Sequence, residues 1–215
     1  MFNRDNLSES ADRIVALLSK DEVDPNETNA ALKELVGKAR HGTKQERDDI
    51  VSRFALLIPN LRIMRAAALA IGSGALVEQG AAFEPMAEPT LTRFAEAAHG
   101  AIPFVEACRA MAKTEGARTS NAAMDAPEEG DEPEPAGDDS DDAINTFGER
   151  VAEQMPDAAR AFSALQMLWA ASLAVLQRSK PLRRQFRQSM AVIVDVQRLE
   201  ALGIDLDCSR EMLSL

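Results

Sequence analysis

The sequence has no tyrosine, one tryptophan and eight phenylalanines in 215 residues. With so few rings, the interior must be built from Leu, Ala, Val, Ile and nine Met, which suits close helix–helix packing better than strand sandwiches. The two cysteines, Cys108 and Cys208, lie far apart and form no CxxC spacing. That excludes a disulfide framework and a cysteine-based zinc site, and makes a reducing, cytoplasmic compartment the expectation. Neither GxGxxG nor GxxxxGK[ST] occurs, so no phosphate-cradling loop is expected. Long apolar runs are missing too. The longest uncharged stretch, Ala161–Gln177, is 17 residues, is bounded by Arg160 and Arg178, and contains Ser163, Gln166 and Ser172. A membrane span needs about 20 mainly apolar residues, so a buried bundle helix is expected and no membrane partner. The polar start, MFNRDNLSES, has no apolar h-region of a secretory signal.

What is abundant is acid, and it is concentrated. Ten carboxylates between Asp125 and Asp142 sit among Pro, Gly and Ser with no base. Over residues 117–142, those ten acids and Arg118 give −9 of the net −11, leaving −2 for the remainder. The helical parts are therefore nearly neutral, and the low pI is no argument for a basic partner of the fold itself. The composition predicts an N-terminal helical region over 1–116 with about six helices. An acidic disordered linker follows over 117–142, then a C-terminal helical region over 143–215 that packs with the first into one core.

Periodicity on both sides of the tract is helical. Ala11, Ile14, Val15 and Leu18 form one stripe, entered through Asn6 with Glu9 three residues on. Asp24-Pro25 with Glu27 starts a second helix carrying Leu32, Leu35, Val36 and Ala39, and Thr43 with Glu46 opens a third carrying Ile50, Val51, Phe54, Leu57 and Ile58. A fourth spans about Leu61–Glu78, where Gly72 and Gly74 each cost about 1 kcal/mol against Ala and imply a close backbone crossing. Pro85 and Pro89 bracket a loop before a fifth helix from Thr90 to about Gly100, and Pro103 kinks it or divides it from a sixth ending near Gly116. After a short helix over Ile144–Met155, long helices are expected at Asp157–Arg178 and Leu182–Leu202. The stretches RFAEAAHGAIPFVEACRA and RAFSALQMLWAASLAVLQ are alike in composition but share no fixed pattern, which leaves a degenerate solenoid open. The expected fold is all-α, a multi-helix orthogonal bundle or irregular helical array interrupted by the acidic insert.

Chemistry-bearing residues are few. Glu96 and His99 have the Glu-x-x-His spacing that puts two ligands on one helix face in di-iron bundles, yet the other histidine, His41, has Lys38 in place of a glutamate. Without the second motif, Glu96 and His99 are weak metal or acid/base candidates, and a solvated histidine is the simpler reading. His99 and Cys108 could form a thiol–imidazole pair only if the chain folds back at Gly100–Pro103, since nine helical residues span about 13 Å. Met64, Met167, Met190 and Trp169 read as core. The strongest cluster is basic: Arg178, Lys180, Arg183, Arg184 and Arg187 fall within ten residues, mostly at a helix start where the macrodipole disfavours cations. A solvated face is the plain reading. Nucleic-acid phosphate, another protein or the acidic tract itself are the functional ones, with no aromatic platform for single strands.

The stretch LWAASLAVLQRSKPLRRQFRQ, followed by the terminal EMLSL, resembles uncharacterised bacterial helical proteins. In those, a Trp-containing helix ending in L-x-R-S precedes Arg-rich and Leu-rich helices and further sequence. The resemblance covers at most Ala161–Leu215 and implies an all-helical fold, no transferable activity, and relatives that continue where this chain stops, after the helix start at Asp207. The expected function is a non-catalytic helical protein-interaction or scaffold protein with a protein partner or self-association, without cofactor. The alternatives are a polyanion binder through Arg178–Arg187 modulated by the acidic tract, and a bundle enzyme or metal protein using Glu96 and His99.

Overall fold

In the computed structural model, the backbone of residues 7–124 and 140–206 is described, and these residues form helices and turns with no strand. The helices are α1 (Leu7–Leu18), α2 (Pro25–Ala39), α3 (Lys44–Leu57), α4 (Ile63–Glu78), α5 (Glu84–Met124), α6 (Ser140–Gln154), α7 (Pro156–Leu176), α8 (Lys180–Gln188) and α9 (Met190–Ala201). A single 3₁₀ turn, Ile58–Asn60, joins α3 to α4. The fold is all-α. The Asn6 cap, the heart of the acidic tract at 125–139, and the helix start at Asp207 lie outside the described residues.

Local signals set most helix starts. The Asp24 carboxylate accepts the Asn26 N–H at 2.8 Å with Pro25 in the first turn of α2. At α3, Thr43 and Glu46 exchange bonds reciprocally: Glu46 N–H to Thr43 Oγ1 at 3.2 Å, and Thr43 N–H to Glu46 Oε2 at 2.7 Å. Such caps are worth about 1 kcal/mol each.

Helix ends are closed over longer distances, by arginines. Arg65 donates to the carbonyls of Leu18 and Asp21 beyond α1 at 2.9 and 2.7 Å. Arg47 donates to Ala39 and Gly42 beyond α2 at 2.9 and 2.7 Å. Each guanidinium supplies donors to carbonyls that have no helical partner and places positive charge at the negative end of the macrodipole.

The chain divides into two compact units, each drawn from both sides of the acidic tract. The first comprises Met1–Ala97 and Ser163–Ser189, the second Ala98–Phe162 and Met190–Leu215. In the first unit α1 packs on α2 and α3, and α4 on α2 and α3. Its aromatic centre is Trp169 with Phe94 and Phe186, ring centroids 5.0 and 6.5 Å away. Full burial of such side chains contributes about 1.5–3 kcal/mol each. Gly74 allows α4 and α7 to approach: a Cβ there would stand 3.3 Å from the Ala171 Cα. At Gly72 an added Cβ would meet only the Leu32 Cδ2, so the expected close backbone crossing belongs to Gly74. In the second unit, Phe104 stacks on Phe162 at 5.1 Å, and a Cβ on Gly100 would stand 2.9 Å from that of Ala161.

Four expectations about boundaries change. Pro85 and Pro89 do not bracket a loop: α5 starts at Glu84, which puts Pro85 in its first turn, where a missing N–H costs nothing. Pro103 does not divide α5, because buried Ile102, Phe104 and Val105 hold the chain on the core on both sides of an exposed proline ring. Gly116 does not end it either. No proline or glycine occurs from Ala117 to Met124, and the helix runs on to Met124, while α6 begins at Ser140. Helix thus occupies both ends of the stretch expected as linker. Finally, Leu182–Leu202 is two helices, broken at Ser189 (φ −76°, ψ 81°). The break shifts the phase, so Met190 leaves the apolar stripe and is 69% exposed rather than core.

Candidate functional site

Glu96 and His99 share a helix and little else. The Glu96 carboxylate accepts from the Arg93 guanidinium three residues back. The His99 ring is 81% exposed, with Nδ1 3.2 Å from the Asp195 carboxylate on α9. Below that pair, Glu106 takes two bonds from Arg198, and Arg109 reaches the Ala201 carbonyl at 3.4 Å. These pairs ascend together along α5 and α9, so the two helices run in the same direction and His99 closes one end of a polar seam. Among the described residues, no three of His, Cys, Asp and Glu gather in a way that could hold a metal ion.

Continuity of α5 also decides the thiol question. His99 and Cys108 stand about 13 Å apart along one helix axis, too far for a direct pair. Cys108 is buried, and burial pushes its thiol above the usual cysteine range, the direction of an inert side chain. Cys208 lies outside the described residues.

The basic cluster resolves into separate tasks. Arg178 donates to the carbonyls of Val77 and Glu78 at 3.4 Å each, at the end of α4. Arg183 lies 3.4 and 3.5 Å from the carbonyls of Leu176 and Gln177, at the end of α7. The dipole conflict read from the sequence is reduced, because Arg178 and Arg183 serve helix C-termini, and it remains for Lys180 at the start of α8. Ser179 caps α8 through the Leu182 N–H at 3.3 Å. Arg187 is half-buried, whereas Lys180 and Arg184 project into solvent.

A different feature emerges in the first unit. Between α3, the 3₁₀ turn and the start of α5 runs an open groove of about 640 Å³. Its apolar lining is Ala55, Leu56, Pro59, Pro85 and Pro89, and its polar rim includes Ser52, Glu88, Thr92, Arg93 and Glu96. Leu56 is 76% exposed, while Phe54, Ala55 and Ile58 around it are buried. Two bonds fix the walls. The Asp48 carboxylate accepts the Ala82 N–H at 2.7 Å, holding α3 to the segment entering α5. Its bonds to Lys44, first, and to that N–H hold its pKa below the usual aspartate range. Arg93, only 15% exposed at its side chain, donates to the Leu61 carbonyl and to Glu96.

Pro89 adds an acceptor. Having no N–H, it leaves the Pro85 carbonyl four residues back without its helical donor, in a wall that both prolines line. In the sequence this site shows only in Leu56, the large apolar residue of α3 that falls off the stripe of Ile50, Val51, Phe54, Leu57 and Ile58.

The helix α7 is long and apolar enough to cross a membrane by length and composition, and 56% of its most apolar window is buried within the fold. That buried part includes Leu165, Leu168, Trp169, Val175 and Leu176, as in a core helix. Compared with family models, curated proteins and solved structures, the chain matches none.

Proposed function

We propose that this chain is a non-catalytic helical interaction protein whose docking surface is the groove between α3 and the start of α5. The observation that carries the reading is Leu56, a large apolar side chain 76% exposed at an apolar groove walled by three prolines. A single exposed leucine is ordinary. One set in a groove of this size, with walls fixed by Asp48 and Arg93, has the form of a recognition surface. An enzymatic reading through Glu96 and His99 has less support, since each side chain turns to its own partner. Polyanion binding through Arg178–Arg187 likewise loses Arg178 and Arg183 to helix capping.

Affinity capture from a lysate of the source organism tests this reading, using wild type, Leu56→Asp and Glu149→Lys. A protein recovered by wild type and Glu149→Lys, lost with Leu56→Asp, and shown to bind when purified is the expected result. Equal recovery on all three baits would refute the groove as the docking surface. Self-association is the second reading, favoured by Met190 and Val194, 69% and 52% exposed and four residues apart on α9. Light scattering over a concentration series checks it, with Val194→Lys expected to shift any oligomer toward monomer.

A further inference from the structure

We infer that the occupant of the α3–α5 groove is an amphipathic helix of a partner protein that carries Leu-type side chains beside lysine or arginine; this rests on the groove being the docking surface. Three observations set that chemistry. The floor is aliphatic, so the occupant must offer apolar side chains to Leu56, Pro59 and Pro85. The rim is acidic: Glu88 and Glu96 stand against Arg93 alone, whose charge is already directed at Glu96 and at the Leu61 carbonyl. Glu88 is exposed and engages no base among the described residues. At the polar end of the groove Glu88 is therefore a carboxylate open to N–H donors on a positively charged group.

The conformation of the occupant follows from what the groove lacks. There is no strand among the described residues, so strand addition to a sheet edge is unavailable. No aromatic ring lines the groove, which removes the platform on which proline-rich segments dock. A helix needs neither, because it satisfies its own backbone and presents side chains at i, i+3, i+4 and i+7. Leucines at those positions would face Leu56 and the prolines, and a flanking cation would reach Glu88.

Fluorescence anisotropy with the full chain tests this using three labelled helical peptides, each about 18 residues so that helix formation is not prohibitive. One is Leu/Lys, one is Leu/Glu with the same leucine stripe, and one is Ser/Lys with the stripe removed. The Leu/Lys peptide is expected to bind best, with affinity falling as salt rises. Leu56→Asp should weaken it about tenfold or more, as loss of a central apolar anchor does. Glu88→Lys should weaken it about fivefold, the scale of one exposed charge contact reversed. Glu149→Lys, an equal charge change on α6, should alter it less than about twofold.

If Leu/Glu binds as tightly as Leu/Lys, and both lose affinity with Leu56→Asp, the basic occupant is wrong while the docking groove survives. If Leu/Lys binding ignores Leu56→Asp, or Ser/Lys binds equally, attraction to the acidic chain explains it and the groove fails as well. If no peptide binds, the inference is overturned, and capture with the Leu56→Asp bait decides the docking reading separately. Leu56→Ser, with far-UV circular dichroism on each variant, separates lost binding from lost fold.

Discussion

The close approach of helices at glycine gives a graded test of packing in both units. Changing Gly to Ala in a helix interior gains about 1 kcal/mol from propensity wherever a methyl group fits. At Gly148 it fits: the nearest atoms to an added Cβ are Ile144 Cγ2 and Phe104 Cζ, both at 3.7 Å. At Gly100 it does not, since the Ala161 Cβ lies 2.9 Å away and a methyl group has no rotamer in which to retreat. The backbone of α5 or α7 must move, and overpacking of that kind costs about 1–3 kcal/mol. Gly148→Ala should therefore raise stability by about 0.5–1 kcal/mol, whereas Gly100→Ala ranges from neutral to about 2 kcal/mol destabilising. In the first unit, Gly37 has nothing within 4 Å and should behave as Gly148 does. Gly74 faces the Ala171 Cα at 3.3 Å and should lose most of the propensity gain or reverse it. Gly72 meets the free end of Leu32 at 2.7 Å, which can swing away, and should fall between them. Urea unfolding followed by far-UV circular dichroism measures each difference, and thermal midpoints should separate Gly100→Ala from Gly148→Ala by roughly 4–8 °C. If Gly100→Ala proved as stabilising as Gly148→Ala, the crossing of α5 and α7 at Ala161 would be refuted.

Arg178→Ala should cost about 1 kcal/mol by removing the guanidinium that reaches the Glu78 carbonyl and, beside the Gly80 N–H, the Val77 carbonyl at the end of α4, while Arg184→Ala, on an exposed side chain, should change stability by less than about 0.5 kcal/mol; equal losses in urea midpoints would contradict the division of the basic cluster. Asp48 predicts a pH dependence. Its folded pKa is lowered from 3.8, so its stabilisation is complete above that value and is lost as pH falls through the lower folded value. Unfolding curves recorded at successive pH values below 3.8 should show wild type losing more stability than Asp48→Asn, and identical pH profiles would show that the Asp48 link between α3 and Ala82 contributes nothing.

Much of the fold was legible because its signals are local. Asp24-Pro25 and Thr43 with Glu46 mark helix starts by chemistry acting within three residues, and both caps form. Trp169 amid Met167, Leu168 and Leu173 reads as a core anchor and is 3% exposed. What failed was punctuation overridden by burial. Pro89 and Pro103 each argue for a break, yet Phe94, Ala101, Ile102 and Val105 supply apolar burial that outweighs the local penalties along α5. Proline position mattered as well, since Pro85 in a first turn and Pro103 on an exposed face cost less than a buried interior proline would. The break at Ser189 had no Gly or Pro to announce it. For the candidate site, the roles of Arg178 and Arg183 were illegible because their acceptors are main-chain carbonyls, one pair a hundred residues away, and no side-chain pattern encodes them. Leu56 was visible only as an omission from a stripe.

The arginine placements explain why the groove rim stays acidic. Arg47, Arg65, Arg178 and Arg183 all direct a guanidinium at carbonyls that end helices, and Arg109 does so toward Ala201. A cation used this way offsets the partial negative charge of a helix end. Glu84 and Glu88 are correspondingly exposed on the first turns of α5 without a base among the described residues, where the helix N-terminus itself favours negative charge. The macrodipole thus stabilises acid beside the wall that Pro85 and Pro89 line. A cationic helix entering there would meet the Glu88 carboxylate, and an acidic one would face repulsion from it. The sign of the charge at this rim is thus a local property of the start of α5, distinct from the net charge of the chain.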